Sequence, residues 1–261
     1  MMPARVLIVC ASLLALAQPL AAQREADQAT LVFSLAGAFS GSADLWTVQD
    51  QPVFRQQVAD TFALGRKRSS GLGVFMAGIY FFKPNFGIAG EAFFLGGGFE
   101  DSCRHTFQTG SAEAVTLCNG INGSSKSGNA VILSAGPVLR FNARKRIKPY
   151  IRANAGLQIG GRSSIELSGR VTTDFFSVVY DDPDQRNISL ALAAAVGMTA
   201  SLGPGYQLRW ELRDNYVGYD RVTGSTARDG LSPARELDYK HVWSFVLGVD
   251  IVLERRRGRR Y

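Results

Sequence analysis

Eight extended apolar segments run along this chain, and the connections between them alternate strictly between long and short. The segments lie near Thr30–Gly41, Gly71–Phe82, Phe86–Gly97, Asn129–Asn142, Pro149–Gly161, Ile188–Leu202, Tyr206–Gly218 and Tyr239–Leu253. Linkers of about 20–31 residues follow the first, third, fifth and seventh segments, and turns of about 3–6 follow the second, fourth and sixth, against the 2–5 of an ordinary hairpin. Long connections at one end and tight turns at the other describe an all-β, antiparallel up-and-down transmembrane β-barrel. An even number of strands puts both termini on the short-turn side, the periplasm in an outer membrane.

The N-terminus reads as a secretory signal over residues 1–22. Arg5 supplies the positive region, Val6–Leu16 the apolar core and Pro19-Leu20-Ala21-Ala22 the small-residue cleavage site. Residues 23–253 then form the barrel and 254–261 a basic tail. The formal charge of +7 is concentrated there. Setting aside Arg5, Arg255, Arg256, Arg257, Arg259 and Arg260 leaves about +1. Nucleic-acid binding would need stacking aromatics among those arginines, and only Tyr261 is present. Cys103 and Cys118 are the two cysteines of the exported chain, both in one long linker, and they read as a disulfide. With His105 as the nearby soft ligand, the pair lacks the four ligands of a structural zinc site.

Period-two patterning separates the faces. In the sixth segment Ile188, Leu190, Leu192, Val196 and Met198 oppose Ser189, Ala191, Ala195, Gly197 and Thr199. In the seventh, Leu208, Trp210 and Leu212 oppose Gln207, Arg209, Glu211 and Arg213. Bulky apolar residues on one face, with small or charged ones opposite, reverse the soluble-barrel pattern and match a barrel facing lipid. The second segment is apolar on both faces, so its orientation is not readable. Phe82, Phe86, Phe141, Tyr150, Tyr206, Tyr216 and Trp243 cluster toward segment ends, where interfacial aromatic girdles form.

Alternating stretches within Arg162–Asn187 extend the fifth and sixth strands beyond the membrane, with a turn near Asp181–Arg186 or Arg170–Asp174; as an extra hairpin in the wall they would give ten strands. Pro137 predicts a bulge, because a closed barrel offers no free edge to a residue without an N–H. Gly96–Gly98 and Gly120–Gly128 read as flexible loop bases rather than phosphate loops.

The lumen face collects Glu91, Arg140, Arg152, Arg209, Glu211, Arg213 and Asp250. Buried charges need partners, so these predict an ion-pair network plugging the barrel, with Arg209–Asp250 as one pair. The alternative is a narrow, weakly anion-selective pore. Hydrolytic chemistry needs a nucleophile, base and orienting acid together. Neither His105 nor His241 sits in such an arrangement, and Ser244 falls on the opposite face from His241. Neither enzyme activity nor a cofactor is expected.

The signal, the strand count and two local stretches resemble the small outer-membrane β-barrel domain family of the OmpA/OmpX kind. The stretches are Ile147-Lys148-Pro149-Tyr150-Ile151-Arg152-Ala153-Asn154-Ala155-Gly156 and Val246-Leu247-Gly248-Val249-Asp250-Ile251-Val252-Leu253. The resemblance implies an outer-membrane location in a Gram-negative bacterium. It also implies lipid as the surrounding partner and a last strand read by the outer-membrane insertion machinery. In the family that strand ends on an aromatic residue; here either Leu253 ends it internally, the preferred reading, or Tyr261 supplies the terminus. The long loops are the expected place for extracellular binding.

Overall fold

The computed structural model describes residues 30–55, 58–107, 112–122, 125–160, 165–172, 175–182, 188–222 and 235–254. The signal region and the tail after Glu254 lie outside them. Eight strands close into one antiparallel barrel. They are β1 (Thr30–Ser40), β4 (Gly71–Lys83), β5 (Phe86–Leu95), β8 (Ala130–Arg140), β9 (Ile147–Gly160), β12 (Ile188–Gly203), β13 (Tyr206–Val222) and β14 (Arg235–Glu254). Each pairs with its neighbours around the ring, and β1 closes it between β4 and β14. All backbone polar groups of a spanning segment must be satisfied internally, and closure achieves this by removing sheet edges.

The long connections fold where loops were expected. β2 (Ala43–Arg55), β3 (Val58–Arg68), β6 (Gly98–Phe107) and β7 (Ser125–Ser127) form a second sheet. Helix α1 (Ala112–Asn122) packs on β6. Gly98 and Gly120 thus lie inside regular elements, not at flexible bases. β10 (Ile165–Thr172) and β11 (Phe175–Asp182) pair only with each other. The ten-strand alternative fails: the hairpin forms, but outside the wall.

Pro137 causes no bulge. Ala135 pairs with Ala155 and Val138 with Arg152 in one unshifted register, and the two intervening positions of β8 are simply unpaired toward β9. A missing N–H leaves a gap in the ladder without requiring an inserted residue.

The orientation of β4 also emerges. Phe75, Ala77, Ile79 and Phe81 point inward and are buried, while Leu72, Val74, Met76, Tyr80 and Phe82 are exposed. The lumen therefore has two walls. An apolar one comes from β4, β5 and β8 through Phe75, Ile79, Phe93 and Ile132, and a polar one from β9, β12, β13 and β14. The apolar wall continues through Leu95, Phe99 and Tyr219 into Trp46, Phe62, Leu64, Leu117 and Ile121 of the second sheet and helix, as one core. The folded head on the long-connection side thus caps the barrel rather than hanging from it.

Candidate functional site

The polar wall is built from residues that alternate inward on β9, β13 and β14, with β12 between β9 and β13, and Glu91 of β5 joins it from the otherwise apolar side. β12 presents small residues, and that is what lets long side chains meet across it. Ala195 is flanked in register by Arg152 and Arg213, and Gly197 by Tyr150 and Glu211. A Cβ on Gly197 would stand 2.6 Å from the Tyr150 hydroxyl oxygen and 2.5 Å from the Trp210 carbonyl oxygen. Only glycine leaves room for Tyr150 to donate to Glu211 Oε2 at 2.6 Å.

Around this contact three arginines interleave with three carboxylates. Arg209 holds Asp250 through two parallel bonds, Nε to Oδ1 at 2.8 Å and an Nη to Oδ2 at 2.9 Å. The same guanidinium donates to the Tyr150 hydroxyl at 2.8 Å and reaches Glu211 at 3.2 Å. Arg152 bridges Glu211 and Glu91, the latter at 2.6 Å, and Glu91 also pairs with Arg213. Ser34 and Ser134, each directly across a strand pair, donate to Asp250 at 2.7 Å and Glu91 at 2.6 Å. Arg213 donates to Asn215, which in turn donates to the Val242 carbonyl and to Ser244, each at 3.0 Å. The arginines face the apolar wall as well: Arg152 lies 4.7 Å from the Phe75 ring centre and Arg213 4.9 Å from that of Phe93. Such contacts replace part of the hydration lost on burial. The six charges balance.

Six of the seven lumen positions read from the sequence lie in this network. Arg140 does not. It is half-buried at the short-turn end, donates to the Pro84 carbonyl at 2.8 and 3.1 Å, and stacks 3.9 Å from the Phe81 ring. Tyr150 is a second correction: at 4% exposure it is a lumen residue, not an interfacial aromatic. The signal was available, because Tyr150 shares the parity of Arg152. Phe82, Phe86, Phe141, Tyr206 and Trp243 are exposed on the outer face, and Tyr216 is half-exposed. Ser34, Ser134 and Asn215 went unread, since short polar residues carry no signal of depth. Cys103 and Cys118 form a disulfide.

A cavity of about 20 Å³ enters the network from the short-turn end, lined by Arg140, Tyr150, Arg209 and Asp250. That is space for about one water. At the other end Arg68 is fully buried and donates to the Gly41 and Ser69 carbonyls, each at 3.2 Å, and to the Gly96 carbonyl at 2.6 Å, fastening the connections over the mouth.

Above the spanning part of β13, Tyr219 packs edge-on against Phe99 of the head. Its hydroxyl has no hydrogen-bond partner among the described residues. Burial pushes the phenol up to about 12, against the pull of Arg68. In the unfolded chain a tyrosine ionises near 10, so the unfolded state sheds this proton first. The stabilising contribution is complete below about pH 10 and is lost toward pH 12, at about 1.4 kcal/mol per unit. Tyr219→Phe is expected to flatten this part of the stability profile in detergent unfolding. Equal slopes for the two proteins would mean that the phenol is hydrated.

His241 lies outside the lumen. Its Nδ1 is 2.7 Å from Asp214 Oδ2, and its ring is 4.8 Å from that of Tyr216. Among the described residues no serine, threonine or cysteine hydrogen-bonds the ring. His105 packs edge-on against Phe62 at 4.9 Å.

The outer surface completes the picture. Leu35, Met76, Ile88, Leu133, Ile151, Leu192, Val196, Leu212, Phe245 and Leu247, drawn from all eight wall strands, are all exposed. Charge is inside and a continuous apolar belt outside, which only a lipid surround stabilises. The chain is a transmembrane β-barrel. No family model and no curated protein matches it. Among solved structures it is similar to the outer membrane protein OprG of Pseudomonas aeruginosa, at 8% identity over 88% of this chain and 98% of that one, with a TM-score of 0.48. Neisserial surface protein A is similar at 11% identity over 85% and 96%, with a TM-score of 0.43. Ail of Yersinia pestis, solved with the heparin analogue sucrose octasulfate, is similar at 15% over 87% and 99%, with a TM-score of 0.42. The closed register alone establishes the barrel.

Proposed function

We propose that this protein is a non-enzymatic outer-membrane barrel that does not conduct and that serves to hold a folded head at the cell surface for interaction. The observation that carries the reading is the filled lumen: balanced charges span it, and the core of the head continues over its mouth. An eight-stranded wall leaves an interior that side chains can fill, and here they do. In this reading the long connections are extracellular, both termini periplasmic, and the last strand is the segment engaged by the insertion machinery.

Single-channel recording of the refolded mature chain in a planar bilayer tests this. Silence is expected, after heat-modifiable migration on a gel has shown the barrel folded. Steady ion-selective steps would make the lumen arginines a pore lining and overturn the proposal in favour of a narrow diffusion channel.

A further inference from the structure

The three short turns form the face of the barrel opposite the head. Lys83, Arg140, Arg144, Lys145, Arg146 and Lys148 lie in them or at their edges, and segments 82–87, 139–150 and 200–207 contain no Asp or Glu. That imbalance is local, because the lumen charges above it pair with one another. Hydrogen bonds tie the turns into one surface. The Arg140 N–H donates to the Asn85 carbonyl at 2.8 Å, and the Ser201 N–H to the Arg146 carbonyl at 2.9 Å. Side chains repeat both links: Arg140 donates to the Pro84 carbonyl, and Arg146 Nε to the Ser201 carbonyl at 3.2 Å.

The β8–β9 turn presents its charges outward. Asn142 takes the left-handed conformation, at φ 54°, and its carbonyl accepts from the Lys145 N–H at 2.8 Å. Asparagine enters that region more readily than most residues. The reversal leaves Arg144, Lys145 and Arg146 as a consecutive exposed run. Lys83 is exposed at the end of β4. Neither the Lys83 nor the Lys145 side chain has an ion pair or hydrogen bond among the described residues. Arg140 and Lys148 stand behind them, half-buried and buried.

What lies against this surface follows from its height. Phe82 and Phe86 flank the first turn with ring centres 5.1 Å apart, Phe141 precedes the second and Tyr206 follows the third, all exposed on the outer face. Such rings mark the edge of the hydrocarbon. Headgroups add about 5–7 Å on each side of it, and the Asn142–Lys145 turn, directly after Phe141, does not carry its side chains clear of that layer. We infer that this collar binds the phosphates of anionic phospholipids in the leaflet at the short-turn end. Arg144 and Arg146 offer the planar fork that matches a phosphate, and Lys83 and Lys145 act as point charges. A zwitterionic headgroup brings its own cation, which a surface without carboxylates repels. The inference needs only the barrel in lipid and stands apart from the surface-interaction reading above.

The test is electron spin resonance on the full chain refolded in phosphatidylcholine vesicles, with spin-labelled phosphatidylglycerol or phosphatidylcholine as the probe. The fraction of probe slowed by the protein gives the preference. The unaltered chain is expected to favour phosphatidylglycerol on the order of threefold. That is below the roughly fivefold that one basic side chain supplies at an anionic surface, because the collar covers only part of the barrel's circumference. Lys83→Gln/Lys145→Gln should cut the preference by about half or more, and heat-modifiable migration checks that this variant is folded. Lys67→Gln/Arg104→Gln, at exposed positions on the head, removes the same charge and should leave the preference unchanged. Arg255, Arg256, Arg257, Arg259 and Arg260 follow the last wall strand and stay in every variant, so the difference belongs to the turns. No preference, or one unmoved by the turn variant, overturns the inference, and an equal fall in the head variant would reduce it to net charge. Polyglutamate that strips the anionic lipid from the protein would assign the collar to a soluble acidic partner instead.

Discussion

Glu211→Ala is expected to lower the unfolding free energy of the barrel by about 3–5 kcal/mol, the range for breaking a buried pair from one side. Glu211 accepts from Tyr150 and pairs with both Arg152 and Arg209. Its loss leaves three guanidinium groups sharing two carboxylates beside a cavity with space for about one water. A compensating variant separates charge imbalance from lost packing. Adding Arg152→Met restores the balance, because Glu91 keeps Arg213 and Asp250 keeps Arg209. The new side chain would lie against Phe75, where Arg152 now stacks. Replacing a buried pair by apolar groups of similar volume is often neutral or stabilising, so the double variant should recover most of the loss. Urea midpoints read by heat-modifiable migration give both numbers. An unchanged midpoint for Glu211→Ala alone would show that water screens the lumen charges.

The wall of the barrel was readable because lipid and lumen impose opposite demands on alternate residues. Where they impose the same demand, the reading failed. β4 is apolar on both faces because its inner residues, Phe75 and Phe81 among them, form the aromatic wall against which arginines stack. Parity gives a residue's face but not its height. Arg140 shares a face with the network yet ends beside the Pro84 carbonyl, below it. Tyr150 was misread in the other direction, by proximity to a turn when its parity already placed it inside. The head was hardest. Its register depends on pairs distant in sequence, such as Arg66–Asp101 and Asn122–Cys103. The partners lie 35 and 19 positions apart, beyond the reach of a local pattern. The Cys103–Cys118 disulfide was legible because two cysteines in an exported chain have few alternatives.

The apolar belt makes the second large prediction. Leu247 is 47% exposed, near the middle of β14, opposite Gly37 on β1 and Trp210 on β13. Leu247→Arg should cost about 2–4 kcal/mol in a bilayer, and Leu253→Arg near the short-turn end about 0–1, the depth profile of charged substitutions on a lipid-facing wall. The asymmetry has a physical origin. At Leu253 the guanidinium reaches water by extending along its own methylene stem, whereas at Leu247 it drags water or headgroups into hydrocarbon. A barrel facing water would show the reverse order of importance: both outer-face arginines would be tolerated, and only inward substitutions would matter. Unfolding midpoints in vesicles therefore distinguish the two environments directly. Equal and small effects at both positions would remove lipid as the solvent of this surface. A loss at Leu247 several times that at Leu253 would mean that the exposed leucines, valines and phenylalanines are buried after all, in the bilayer.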